Sequence, residues 1–189
     1  MNGFTARFAA TVCVAAAMVF PAYADTATPA PARELIATAE HTAARQKKAV
    51  MVIYHATWCG WCKRLDSVME KPEFKSMFDR NYVVLKLDVM ETGEKKSTVE
   101  NPGGLETMKE LGGEKSGLPF YVFLDAKGTK LADSNAMPEN ANIGYPGEPG
   151  EITAFMGLIH RTAPRWSQAD QDKLKDYLVA NAPKPVGAH

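Results

Sequence analysis

The chain has 189 residues, 46% of them hydrophobic, with 22 basic residues balanced by 22 acidic ones and only three cysteines. That length and apolar content suffice for one domain with a core of its own, so no oligomer is required and a monomer is expected. The balanced charge points away from a nucleic-acid partner, and so few cysteines exclude a scaffold held together by disulfides.

At the start of the chain, Arg7 precedes an apolar run from Phe8 to Phe20, followed by Ala22-Tyr23-Ala24. This is the pattern of a cleaved signal peptide over residues 1–24. The run is shorter than the roughly 20 residues a membrane-crossing helix needs, so a periplasmic or secreted protein is expected. Cys13 would leave with the signal, and so would one Arg, leaving 21 basic against 22 acidic residues and two cysteines. Residues 25–32, rich in Pro and Ala, read as a flexible linker. Residues 33–182 read as the domain and 183–189 as a fraying tail.

Within the domain, Leu35, Ile36, Ala39, Ala43 and Ala44 recur at helical spacing, predicting a helix over 32–48 in which His41 is an exposed helix histidine. Ala49 to His55 is apolar without alternation, as expected of a central strand covered on both faces. A helix opens after Trp58-Cys59-Gly60-Trp61-Cys62-Lys63 and should end near Lys71-Pro72. A short helical piece over 73–80 and a strand over 82–89 follow. Residues 90–100 are charged and read as a solvated excursion. A short helix over 105–111 should stop at Gly112-Gly113. A strand over 119–124 turns through Asp125-Ala126-Lys127-Gly128 into a strand over 129–132. After a Gly/Pro/Asn-rich loop come a helix over 151–161 and a last one capped by Ser167, with Leu174, Tyr177 and Leu178 inward. The order α-β-α-β-α-β-β-α-α predicts an α/β fold with a mixed sheet between helices.

Cys59 and Cys62 are the chemistry-bearing pair. Two cysteines three apart close too small a loop to brace a fold. At a strand-to-helix turn, unpaired N–H groups and the positive helix end stabilise a thiolate at the first sulfur, with the second one turn deeper. Cys59 would attack and Cys62 resolve. Zinc needs four ligands, and the histidines at 41, 55, 160 and 189 supply no second close-spaced pair. Lys63 stands where a haem thioether site would need His, so neither metal nor cofactor is expected. Trp58 leans toward the core, whereas Trp61 sits on the exposed turn beside Gly60, where a partner would meet it. His55, four residues before Cys59, is a candidate modulator of Cys62.

With these pieces in this order, residues 33–161 resemble the thioredoxin superfamily. The turn around Cys59 and Cys62 resembles its active site, and Lys86, Asp88 and Asn101-Pro102-Gly103 resemble its middle portion. Gly117-Leu118-Pro119 resembles its cis-proline loop, and Ile143-Gly144-Tyr145 its glycine loop. His55-Ala56-Thr57-Trp58 and Lys71-Pro72-Glu73-Phe74 are similar to exported members akin to the C-terminal domain of the disulfide reductase DsbD. The resemblance implies a thioredoxin fold with an extra C-terminal helix and a cis bond before Pro119. It also implies a docking surface of Trp58, Gly60, Trp61, Leu118, Pro119, Gly144 and Tyr145 for extended substrates. The function it implies is an exported thiol-disulfide oxidoreductase acting on protein thiols or disulfides, with a membrane redox partner as a candidate source of electrons. The alternative is a binding module or chaperone of the same fold whose cysteines are a structural clasp. One feature departs from the family: where thioredoxins bury an Asp beneath the active site, this chain has Ile53, leaving water, Lys86 or another group to take the Cys62 proton.

Overall fold

The computed structural model describes residues 28–183. The signal peptide expected over 1–24, the first part of the linker and all of the expected tail beyond Pro183 lie outside the described residues. Ala32, the last residue of the expected linker, already stands in the first helix and is fully buried.

Strand β1 (Ala49–His55) is the centre of the sheet. It pairs in parallel with β2 (Tyr82–Asp88) and antiparallel with β3 (Phe120–Leu124), which in turn pairs antiparallel with the edge strand β4 (Lys130–Asp133). The order is β2-β1-β3-β4. Both interior strands are continuous apolar runs because both of their faces are covered. Val50, Val52, Tyr54, Phe120, Val122 and Leu124 meet α1 (Ala32–Gln46) and α5 (Gly104–Met108). Met51, Ile53, Tyr121 and Phe123 meet α2 (Gly60–Met69), α3 (Pro72–Asn81), α6 (Pro149–Thr162) and α7 (Gln168–Ala180). The result is the thioredoxin fold, a mixed sheet between two helical layers, with α7 added.

Element ends follow local chemistry. Helix α1 stops two residues short of the expectation because Lys47 takes a left-handed conformation, φ 54°, an arrangement common at helix C-termini. Pro72 opens α3 at a position whose N–H is not needed. Glu148 with Glu151, and Ser167 with Asp170, make reciprocal caps at the starts of α6 and α7. Helix α5 runs into a π-helical turn over Lys109–Gly113, and Gly112 at φ 106° ends it.

The excursion over 90–100 differs from the expected solvated loop. It contains a short helix, α4 (Lys95–Thr98), and Glu91 is only 5% exposed. At the other end of the chain, Trp166 is buried against Phe78 and donates from Nε1 to the Met77 carbonyl at 2.7 Å. Arg165 donates to the carbonyls of Arg80 and Lys47, so the segment leading into α7 is fastened to α3 and to the end of α1.

Candidate active site

Strand β1 ends at His55, and the turn that follows delivers Cys59 to the N-cap of α2. The two sulfurs are bonded to each other, 2.02 Å apart. The backbone N–H of Cys62 donates to the Cys59 sulfur at 3.1 Å. Helix-end N–H groups have no partner within the helix, and here one of them is spent on the sulfur. Both cysteines are buried, Cys59 at 4% and Cys62 at 3% exposure, in a small apolar cluster with Ala56 and part of Leu118. The Leu118–Pro119 peptide bond is cis.

Beside this pair lies a cleft of about 520 Å³ whose lining includes Trp61, Leu118, Ile143, Gly144, Tyr145 and Pro183. Trp61 is half exposed and stacks on Tyr145, ring centroids 5.8 Å apart. The Arg64 guanidinium lies 5.1 Å from the Tyr145 ring centre and donates to the Asn181 carbonyl at 2.8 Å. Ala182 and Pro183, just past the end of α7, therefore form one wall of the cleft. Gly60 is exposed on the same turn, with no atom crowding the position of a Cβ.

Trp58 lies outside this group. Rather than leaning into the core it is 55% exposed, and its indole N–H donates to the Met90 carbonyl at 2.8 Å. A polar handle satisfied at the rim holds the ring on the surface.

On the α2 face of the sheet, Ile53 is buried among apolar side chains and offers no proton acceptor. Lys86 pairs with it in register, but its ammonium is held by Asp66 of α2 at 2.9 Å and by Glu70, which caps the end of α2, at 3.6 Å. His55 Nε2 is 3.6 Å from the Asp88 carboxylate. Burial pushes the Asp88 carboxyl above its ordinary 3.8; His55 opposes this, while Glu91 and Asp66 reinforce it.

Three contributors escaped the sequence reading: Thr57, Glu91 and Arg64. Glu91 accepts from the Thr57 N–H on one carboxylate oxygen and from the Thr57 hydroxyl on the other. Lys95 donates to the same hydroxyl at 3.0 Å. No periodicity signals such residues, because what defines them is a partner far along the chain.

A mixed four-stranded sheet with a Cys-x-x-Cys turn at the start of its second helix defines the class: a thioredoxin-fold protein with a cysteine pair at the usual redox position. The Thioredoxin-like family model matches residues 34–126, just under half of the chain, and that stretch is a thioredoxin-like domain. Among solved structures it is similar to a disulphide isomerase from Xylella fastidiosa Temecula1, at 16% identity, covering 85% of this chain and 94% of that one, TM-score 0.46. It is similar also to the oxidised C-terminal domain of DsbD from Neisseria meningitidis, at 22% identity, covering 57% and 84% of the two chains, TM-score 0.41. A thioredoxin from Thermus thermophilus is similar at 22% identity, covering 55% and 71%, TM-score 0.39. No curated protein matches the chain. Among the described residues no helix is long and apolar enough to cross a membrane.

Proposed function

We propose that the chain is an exported thiol-disulfide oxidoreductase that exchanges disulfides with protein substrates through Cys59 and Cys62. The observation that carries this reading is the Cys62 N–H aimed at the Cys59 sulfur at the N-cap of α2. The same donor and the helix dipole stabilise negative charge on that sulfur when the disulfide opens. In the reducing direction the Cys59 thiolate attacks a substrate disulfide, forming a mixed disulfide and releasing one substrate thiolate. Cys62, deprotonated, then attacks the Cys59 sulfur; the second substrate thiolate leaves, and the Cys59–Cys62 bond re-forms. Two electrons pass to the substrate, and a dithiol reductant restores the pair. The oxidising direction is the same sequence reversed.

The cleft lined by Trp61, Leu118 and Tyr145 supports docking of an extended chain beside the sulfurs. Export rests on the signal pattern over residues 1–24. The burial of Cys59 favours a second reading, a binding module with a structural clasp. Reduction of insulin by dithiothreitol separates the two. The wild-type chain should accelerate it and Cys59→Ala should abolish the acceleration; a chain without effect, or one whose binding activity survives Cys→Ser at both positions, supports the clasp.

A further inference from the structure

We propose that Glu91 is a positioning residue that holds the turn bearing Cys59 and, by its charge, sets the redox poise of the pair. The inference rests on the oxidoreductase reading above and names a determinant of that site's equilibrium.

The geometry points to a built support rather than a solvated loop. Both Glu91 carboxylate oxygens accept from Thr57, one from its N–H and one from its hydroxyl. Thr57 stands two residues before Cys59, inside the turn between β1 and α2. The Glu91 N–H is itself held by Glu100 at 2.7 Å. Met90, immediately before it, adopts φ 57°, a conformation costly for a residue with a side chain and one that survives where surrounding contacts dictate it. In that conformation its carbonyl receives the Trp58 indole. Residues 90 and 91 thus grip both Thr57 and Trp58, the two residues that lead into the nucleophile.

Charge follows from the same placement. A carboxylate buried at 5% exposure is poorly screened by solvent. Held on Thr57, two residues before Cys59, it opposes a thiolate there, against the pull of the α2 N–H groups. The other charged groups around it are Lys95 on the Thr57 hydroxyl, Glu100 on its own backbone, and Asp88 with His55 at the end of the β strands; Asp66 of α2, beyond them, is already paired with Lys86. Lys95 is exposed and the acidic groups outnumber it, so the local field disfavours the thiolate. Destabilising the thiolate destabilises the reduced form and makes the dithiol the stronger reductant.

The test is the equilibrium between the protein and glutathione, in which the protein disulfide takes two electrons and two protons from two glutathione thiols and yields a dithiol and one glutathione disulfide. It is read together with the pH dependence of Cys59 alkylation in the reduced chain. Glu91→Gln keeps an acceptor for the Thr57 N–H and removes the charge. It should shift the equilibrium about three- to tenfold toward the protein dithiol, about 15–30 mV at 29.6 mV per tenfold, and lower the pH at which Cys59 becomes reactive. Glu91→Asp keeps the charge and should stay within about twofold of wild type even if it unfolds more readily. Lys95→Met, on an exposed side chain, should move the equilibrium the opposite way. The proposal is overturned if Glu91→Gln matches wild type in both readouts, or if Glu91→Asp shifts as far as Glu91→Gln. If the wild-type pair does not exchange with glutathione at all, the oxidoreductase reading itself falls, and this proposal with it.

Discussion

Asp88 is an acidic side chain at the end of β2 whose carboxyl is raised above its ordinary 3.8, chiefly by burial and against the pull of His55. Between that value and its folded-state value the folded chain binds more protons than the unfolded one, so stability falls as pH rises through the window. Asp88→Asn removes the titration. It should be more stable than wild type above the window, with the gap closing as pH falls toward 3.8. Urea unfolding of the two proteins between neutral and acid pH checks this; a gap that widens on acidification would mean that the contact with His55 dominates burial. Tyr121, paired in register with Ile53, is a second residue at odds with its surroundings. Its hydroxyl is buried with no hydrogen-bond partner among the described residues, and burial lifts its pKa well above 10.0. Leaving a buried donor unpaired costs roughly 1–3 kcal/mol. Tyr121→Phe should therefore raise the unfolding free energy, by about 1 kcal/mol in chemical denaturation.

At the scale of elements, α7 and its lead-in belong to the core rather than being appended to it. Trp166 packs edge-on against Phe78, centroids 5.1 Å apart, and its N–H bonds the Met77 carbonyl. Tyr177 meets Phe74 in the same way at 5.2 Å. Trp166→Ala should cost about 3–5 kcal/mol in unfolding free energy. A loss under about 1 kcal/mol would mean that α7 docks loosely. These elements were legible because their signals are local: the apolar run of β1, Pro72 opening α3, the Ser167 cap, and the helical spacing of Leu174 and Leu178. The cysteine pair was legible for the same reason, since its spacing and the turn it occupies are adjacent in the chain. The excursion was not. Its residues are charged and aperiodic, and what orders them is Thr57, 34 residues earlier. Trp58 was misjudged on the same ground, because the carbonyl that holds it at the surface belongs to Met90, 32 residues on. Arg64 looks like an ordinary exposed helix residue until Asn181, 117 residues away, is brought beside it.

At the scale of the whole molecule, distant parts of the chain converge on one end of the sheet. The turn after β1 carries the sulfurs, the loop before β3 brings Leu118 and Pro119, and the loop before α6 brings Gly144 and Tyr145. The segment just after α7 adds the last wall. Arg64 bonds the Asn181 carbonyl, and Pro183 lies where a Cβ on Gly147 would come within 3.0 Å of it. Closing one side in this way turns a face into a cleft, and a cleft admits an extended segment while leaving the sulfurs' own surroundings unchanged. A chain ending at Ala180 loses residues 181–189, Asn181, Ala182 and Pro183 of the wall among them, but keeps the residues packed with the cysteines. Its KM for a disulfide-bonded protein substrate should rise about three- to tenfold, on the order of 1 kcal/mol of lost binding. Its exchange with glutathione, too small to span the cleft, should be unchanged. Steady-state kinetics with both substrates decide it. A parallel loss in the two would mean that the C-terminal wall supports the sulfurs themselves, and no loss in either would mean that substrates approach from the Trp58 side instead.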